Sequence, residues 1–256
     1  MSEFKDRANS LGWTHESTNE IQNKSRVYEL FRNSPIYSDE ILSNLGLFMN
    51  PKTLGSILFR NQIYQQILDV PGVVMEFGVE WGGGLSLFSI LRGIYEPYNV
   101  RRKIIGFDTF EGFPSVDEKD GNAPLIGVGN LALPEGYMSY LDEIMHQIEN
   151  NQPLSHIKKY ELVKGDACKT VKEYLDNHPE TVISLAYFDF DLYEPTKVVL
   201  ELIKDRLVKG SVVGFDELND PSCPGETLAV METLGLQNLR LKKVPWCTKP
   251  CWYVVE

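Results

Sequence analysis

The sequence predicts an α/β fold, with a doubly wound, mostly parallel sheet of about seven strands behind an N-terminal helical extension. Apolar runs of strand length alternate with amphipathic stretches after the Pro71-Gly72 pair, which ends a region of helical pattern. Two further β-rich pieces, LRLKKVPW and CWYVVE, close the chain. Strands that alternate with helices favour parallel pairing, with helices covering both faces of the sheet.

The individual elements follow from this alternation. The first seventy residues are polar and then helical in pattern, with apolar side chains at helical spacing over residues 41–48 and 54–67. Strands are predicted at residues 73–77, 103–107, 160–163, 182–188 and 211–215. Helices are predicted between and after them at residues 85–95, 137–149, 170–177, 195–207 and 226–234.

The composition restricts the classes of partner. The 256 residues carry a formal net charge of −11, with a pI near 4.9. An acidic chain repels phosphates, so neither nucleic acid nor an anionic membrane is an expected partner. Neither a signal peptide nor an apolar run of membrane-spanning length is visible, and we therefore expect a cytoplasmic protein.

A long segment, residues 112–155, connects the second and third predicted strands. Its first half, PSVDEKDGNAPLIGVGNLALPEGY, is rich in Gly, Pro and Asp and precedes a helix. Such a segment is either a solvated loop or a lid over a substrate, because long loops in compact domains are often functional.

The stretch VVMEFGVEWGGG reads as a strand that runs into a glycine turn. A dinucleotide site requires a glycine where this chain has Glu80, so that the backbone can approach the pyrophosphate. A nucleoside-triphosphate loop has the right spacing from Gly78 to Gly83, but Gly84-Leu85 replaces its lysine and hydroxyl. Each phosphate interpretation therefore lacks an essential contact.

S-adenosylmethionine suits the turn better, because it has a cationic end and no phosphate. Glu76 ends the strand and can face the cationic end, while the open turn leaves room for the amino-acid portion. Asp108 ends the next strand, 24 residues after Gly84, where a Rossmann-like fold needs an acid for the ribose hydroxyls. Thr109 and Phe110 follow and are placed to border the adenine.

Carboxylates end the fourth and fifth predicted strands, in YFDFDLYE and GFDELND. The side chains of Asp189 and Asp191 share one face of an extended chain, and Asp216 and Glu217 follow the next strand. These groups should converge beside the cofactor at the carboxyl ends of the strands. An oxygen-only set suits magnesium, which would acidify a substrate hydroxyl, and a spare carboxylate could take the proton. The alternative is that some of these acids only cap the following helices.

Five pieces together resemble the macrocin O-methyltransferase (TylF-type) family of metal-dependent class I methyltransferases: VVMEFGVEWGGG, GFDTFEGFP, LVKGDACKTV, YFDFDLYEPT and VVGFDEL. The resemblance implies Asp189, Asp216 and Glu217 as magnesium ligands and Asp191 as the general base. It also places Asp166 and Ala167 near the adenine. The predicted cofactor-binding set is Glu76, Phe77, Gly78, Gly82, Asp108, Thr109, Phe110, Asp166, Ala167 and Asp189.

The resemblance further implies transfer of a methyl group from S-adenosylmethionine to a hydroxyl of a small molecule, with a sugar or a sugar-containing natural product as the expected acceptor, and a homodimer. Residues 1–70 would form a helical cap or dimerisation segment, and residues 71–256 the S-adenosylmethionine-binding methyltransferase domain. The sequence departs from the family pattern at Glu217-Leu218, where two aspartates and an aromatic residue are usual, and at Gly84, where serine is frequent.

Three other functions remain open from the sequence. A methyltransferase that acts on nitrogen or on a carboxyl oxygen would need no metal. An NAD-dependent oxidoreductase is disfavoured by Glu80, and a non-catalytic nucleotide-binding protein is disfavoured by the density of carboxylates.

Overall fold

The structure is a computed structural model that describes residues 17–256; residues 1–16, the start of the predicted N-terminal segment, lie outside the described part. It confirms the predicted α/β fold. Seven strands form one sheet in the order β3-β2-β1-β4-β5-β7-β6, with every pair parallel except those made by β7. The strands are β1 (Val73–Phe77), β2 (Ile104–Asp108), β3 (Tyr160–Lys164), β4 (Ile183–Phe188), β5 (Leu207–Phe215), β6 (Lys242–Lys243) and β7 (Cys251–Val254).

The described residues form seven α-helices, and all but the first pack against a face of the sheet. They are α1 (Thr18–Arg32), α2 (Pro51–Gln65), α3 (Gly83–Tyr95), α4 (Tyr137–Asn150), α5 (Ala167–Asn177), α6 (Tyr193–Ile203) and α7 (Pro224–Thr233), with short 3-10 turns between some of them. Within residues 17–256, none of them combines the length and apolarity that crossing a bilayer requires.

Two predicted elements differ from the structure. The predicted helix 195–207 ends at Ile203, and Leu207 already belongs to β5 because it pairs with Ile183 across an irregularity in the β4–β5 register. The predicted helix over residues 41–48 is instead a 3-10 segment, Ile41–Leu47, interrupted by the non-helical backbone of Asn44. In both places the apolar pattern of the sequence is compatible with more than one backbone conformation.

The N-terminal helices have different relations to the rest of the molecule. Ser17 begins α1 with a capping box, but α1 buries none of its residues. By contrast, α2 starts at an Asn50 cap followed by Pro51, and buries Phe59 and Ile63 in the same core as one face of the sheet. The end of the N-terminal segment is thus part of the main body.

Alternation along the buried strands divides the core into two layers. Val74, Leu185 and Val212 face α2, α3 and α4, whereas their neighbours Met75 and Ala186 face α5, α6 and α7. Since both faces are covered, the strands are apolar on both sides, as the continuous apolar runs in the sequence indicated.

The amino ends of the central strands are held by one buried cation. The Arg102 guanidinium donates to the carbonyl oxygens of Ile67, Val70 and Gly72 and to Ser184 Oγ, over 2.6 to 2.9 Å. It also pairs with Glu96 at 2.9 Å. These acceptors lie just after α2, just before β1 and at the start of β4, so the hydrogen bonds of Arg102 connect the three elements. A buried cation needs such partners, and the connection is therefore costly to break.

Candidate active site

A crevice opens where the parallel strands end. It is bordered by the loops after β1, β2, β3 and β4, the usual ligand position in an open α/β sheet. Six of the predicted cofactor-binding residues line it: Gly78, Asp108, Thr109, Asp166, Ala167 and Asp189. The predicted base, Asp191, lines it too, together with Glu80 and apolar side chains such as Leu131 and Leu192.

Asp108 organises the glycine turn. Its Oδ2 accepts hydrogen bonds from the backbone N–H groups of Val79 and Glu80, at 2.7 and 2.9 Å, and its Oδ1 accepts one from Phe110 at 2.5 Å. Glu80 and Phe110 both have positive φ angles, which are uncommon for residues with a side chain. The carboxylate therefore fixes two strained turns at the mouth of the crevice.

Gly78 brings two strand ends into contact. Its φ is +88°, and a Cβ at this position would lie 2.0 Å from the Asp189 carbonyl oxygen. Gly82 also has a left-handed backbone, and it is the N-cap residue of α3. These two positions require glycine for geometric reasons, whatever the bound ligand.

Glu76 lies beneath the turn and does not line the crevice. Its side chain is 2% exposed, and its Oε2 has no hydrogen-bond partner within the described residues. Burial raises the pKa of Glu76 to about 8, although the nearby Arg60 guanidinium acts in the opposite direction. A Cβ on Gly84 would lie 1.9 Å from Glu76 Oε1, so the carboxylate leaves no space for a side chain at this position.

Two other predicted cofactor residues direct their rings into the core. Phe77 is fully buried against Phe107 and Phe188, and Phe110 is 6% exposed. Neither residue is among those that line the crevice.

The carboxylates after β4 and β5 form a crowded acidic group. Oxygen atoms of Asp191 and Glu217 and the Cys223 sulfur lie within 4.8 Å of one another. Burial and the neighbouring Asp216 raise the pKa of Asp191 to about 7. Burial and Asp191 likewise raise the pKa of Glu217 to about 8. Like charges held this close favour binding of a cation, and the carboxylate oxygens suit magnesium.

The three predicted magnesium ligands are not gathered into that one cluster. Asp189 Oδ2 lies 3.9 Å from Arg60 Nη2, and Asp216 Oδ1 accepts a hydrogen bond from the Tyr187 hydroxyl at 2.5 Å. Burial raises the pKa of Asp189 well above its usual value, and the carboxylates of Asp216 and Asp191 add to the effect. Asp189, Asp216 and Glu217 thus border the same acidic region, each with its own protein partner.

The sequence did not predict the cationic side chains that pair with these carboxylates. Arg60 extends from α2, packs over the Tyr187 ring at 5.0 Å and donates to Ser56. Lys249 comes from the segment between β6 and β7, and its Nζ pairs with Glu217 at 2.9 Å and with Asp220. An arginine within the apolar series of α2 was a usable signal for Arg60, whereas nothing in TKPCW indicates the position of Lys249.

Part of the long loop over residues 112–155 is anchored and forms a wall. Asp120 accepts hydrogen bonds from the backbone N–H groups of Tyr193, at 2.5 Å, and Asp117, at 2.6 Å. Lys119 Nζ lies 4.0 Å from the Tyr193 ring centroid and pairs with Glu232. These contacts attach the loop to α6 and α7, while its residues 112–114 and 131 line the crevice.

Comparison with known proteins gives a consistent result. The model of the macrocin O-methyltransferase (TylF) family matches residues 59–230. The crystal structure of CalS11, a calicheamicin methyltransferase, is 45% identical over 95% of both chains, with a TM-score of 0.92. The apo structure of CalS11, described as a TDP-rhamnose 3′-O-methyltransferase of calicheamicin biosynthesis, is 42% identical over 95% of this chain and 97% of that chain, with a TM-score of 0.84.

A more distant structure shares the fold alone. The O-methyltransferase NovP is 20% identical over 78% of this chain and 79% of that chain, with a TM-score of 0.59. No curated protein matches the sequence.

Proposed function

We propose, from the premise that this chain belongs to the macrocin O-methyltransferase (TylF) family of methyltransferases, that it transfers a methyl group from S-adenosylmethionine to a sugar hydroxyl with the help of magnesium. The observation that carries the proposal is the position of Asp191, which lines the cofactor crevice and is part of the acidic group after β4 and β5. One carboxylate thus lies where the methyl donor and the acceptor would meet.

The crevice supports S-adenosylmethionine as the donor. Glu80 replaces the glycine of a dinucleotide site, and no lysine follows the glycine turn to bind phosphate. Asp108 and Thr109 border the crevice after β2, where ribose and adenine bind in Rossmann-like folds, and Asp166 and Ala167 border it after β3. When bound, the cofactor supplies an electrophilic methyl group on a sulfonium.

Asp191 is proposed as the general base. It is 9% exposed, its φ is +61°, and its pKa near 7 suits a group that accepts a proton around neutral pH. The left-handed backbone directs the chain from β4 into α6, and aspartate is among the residues that tolerate this conformation. Its role is to take the proton of the acceptor hydroxyl as the oxygen attacks the methyl group.

Asp189, Asp216 and Glu217 would hold magnesium. Their oxygens are hard donors, and burial together with the neighbouring carboxylates raises the pKa values of Asp189 and Glu217, an environment that a bound cation would stabilise. When bound, the ion supplies positive charge that acidifies a coordinated hydroxyl. The Tyr187 hydroxyl orients the Asp216 carboxylate by a hydrogen bond. The Arg60 guanidinium lies beside the Asp189 carboxylate and orients it as an ion pair.

The acceptor class rests on the similarity to CalS11, which acts on TDP-rhamnose. At 42–45% identity over nearly the whole of both chains, this similarity favours a sugar or a sugar-bearing natural product as the acceptor of this chain. The anchored loop after β2 supplies Phe113, Pro114 and Leu131 to the crevice wall and is a candidate for acceptor selection.

Calorimetric titration of S-adenosylmethionine and of NAD tests the donor. We expect micromolar binding of S-adenosylmethionine and none of NAD, followed by methyl transfer to nucleotide-linked deoxysugars in a screen with labelled cofactor. Methyl transfer should stop in a chelator and return with magnesium. Binding of NAD alone would overturn the proposal, and full activity in a chelator would favour a metal-independent methyltransferase.

The N-terminal helices are proposed to form a homodimer interface as part of a segment that covers residues 1–70. Helix α1 buries no residue, and large apolar side chains on it are exposed, including Tyr28 at 55% and Leu30 at 51%. A surface of this kind usually marks a contact with another chain.

Light scattering on a size-exclusion column should give the mass of a dimer for the wild-type protein. Leu30→Asp should shift the mass toward the monomer, because a charge would be buried in the contact. Gln22→Asp, at an exposed polar position of the same helix, is the control and should remain dimeric. A monomeric wild-type protein would contradict the proposal.

A further inference from the structure

Lys249 pairs with two carboxylates of the acidic group, and it comes from the segment that precedes β7. Because β7 pairs antiparallel with β5, with Cys251 opposite Phe215, the residues just before β7 lie next to those just after β5. This pairing places Lys249 beside Glu217 and Asp220. Its Nζ lies 2.9 Å from Glu217 Oε2 and 3.2 Å from Oε1, and it also pairs with Asp220.

The contact joins an accessible cation to enclosed anions. The Lys249 side chain is 48% exposed, whereas those of Glu217 and Asp220 are only 12% and 8% exposed. Loss of the ammonium would leave two enclosed carboxylates without a counter-ion unless another cation replaced it. The Glu217 carboxylate can therefore be neutralised either by this lysine or by a metal ion.

The second cation of the site differs from Lys249 in its freedom to move. Arg60 is 9% exposed, donates to Ser56 and stacks over Tyr187 in the core below the acids. Lys249 has a flexible stem that reaches solvent, and its ammonium has no hydrogen-bond partner beyond the two carboxylates among the described residues. Only Lys249 can withdraw without disturbing the packing of the core.

We propose that Lys249 is a tethered counter-ion that competes with magnesium for Glu217, and thereby sets the affinity of the enzyme for the metal. In the metal-free enzyme the ammonium holds the Glu217 carboxylate in place through both of its oxygens. When magnesium binds, the ammonium leaves Glu217 and stays near Asp220. This inference rests on the proposed function, since it takes Glu217 as a magnesium ligand, but it concerns a residue to which the proposed methyl transfer assigns no role.

Removal of the competitor should strengthen metal binding. In calorimetric titrations of Mg²⁺ into chelator-treated full-length protein at constant ionic strength, Lys249→Met should bind the ion about tenfold more tightly than the wild type. Lys249→Arg should bind it more weakly than the wild type, because a guanidinium can hold the carboxylate with two hydrogen bonds. Lys209→Met, which removes the same charge at the far end of β5, should leave the affinity unchanged.

A second readout does not involve metal titration. In a chelator, Lys249→Met should melt about 2–4 °C below the wild type, because two enclosed carboxylates lose their partner. Saturating Mg²⁺ should remove this difference. A folded Lys249→Met protein with the wild-type magnesium affinity would overturn the inference.

Failure of the inference can be separated from failure of the proposed function. If neither the wild type nor Lys249→Met binds Mg²⁺, the competition is refuted and the magnesium part of the function with it. S-adenosylmethionine binding in the same samples would then show whether the methyltransferase assignment stands. If the wild type binds Mg²⁺ and the variant binds it equally well, only the role of Lys249 is refuted.

Discussion

Asp191→Asn is expected to lower turnover by about 10²- to 10⁴-fold, the usual contribution of a positioned general base. Asparagine keeps the size of the side chain and accepts the left-handed backbone, so the fold after β4 should persist. It cannot take a proton from the acceptor hydroxyl. The binding constant for S-adenosylmethionine should change by no more than about twofold, because the substitution alters the chemical step and not the strand ends that form the crevice.

Initial rates at saturating magnesium and calorimetric titration of the cofactor separate these two effects. Glu194→Gln is the control: it neutralises an exposed carboxylate three residues further along the chain, in the first turn of α6, and should leave turnover unchanged. Near-normal turnover of Asp191→Asn would show that another group takes the proton.

Gly78→Ala is expected to be the most damaging small substitution in the glycine turn. The new methyl group would need to occupy a point 2.0 Å from the Asp189 carbonyl oxygen, on a backbone with a φ of +88°. The backbone cannot yield easily, because the Asp189 N–H donates to the Phe77 carbonyl at 2.8 Å and the Gly78 N–H donates to the Phe107 carbonyl at 3.0 Å. Strand ends that form the crevice would have to separate.

The cost combines about 1–2 kcal/mol for the left-handed backbone with about 1–3 kcal/mol for the added volume. Thermal melting should therefore show a loss of roughly 2–5 kcal/mol in the free energy of unfolding. Calorimetry should show at least about tenfold weaker S-adenosylmethionine binding, equivalent to roughly 1.4 kcal/mol. Displacement of Asp189 should weaken binding of the methyl donor even where the protein stays folded.

The matched control is Gly83→Ala, five residues further along the same turn. A Cβ there has no other atom within 4 Å, and Gly83 is the first residue of α3. Alanine should therefore be neutral or stabilising by up to about 1 kcal/mol. A Gly78→Ala protein that melts and binds cofactor as the wild type does would contradict the turn geometry described here.

The positions of the strands along the chain could be predicted from the sequence for a physical reason. Parallel strands covered on both faces must be apolar throughout, and such runs are easy to distinguish from the amphipathic helices that alternate with them. The positions of Asp108 and Asp191 followed from the same pattern, because a polar residue that ends a buried strand lies at the carboxyl edge of the sheet.

The rest depended on contacts between distant parts of the chain. The local pattern places Leu207 at the end of a helix, whereas its pairing with Ile183 on a distant strand makes it the start of β5. The anchoring of the long loop depends on Asp120 accepting the N–H of Tyr193, 73 residues away, and a sequence of turn-forming residues gives no sign of it. Lys249 reaches Glu217 only because β7 pairs with β5, so its position is a property of the topology and not of any local pattern.

The buried Arg102 restricts motion at one end of the sheet. It fixes the end of α2 and the amino ends of β1 and β4 through carbonyl and hydroxyl acceptors, so large fluctuations of the sheet at that end would break several hydrogen bonds of a buried cation at once. We therefore expect the low-energy motions to be smallest at the Arg102 end and largest at the opposite rim. On this expectation, substrate and product would exchange through displacement of the rim loops, and the strands that carry the carboxylates would keep their spacing.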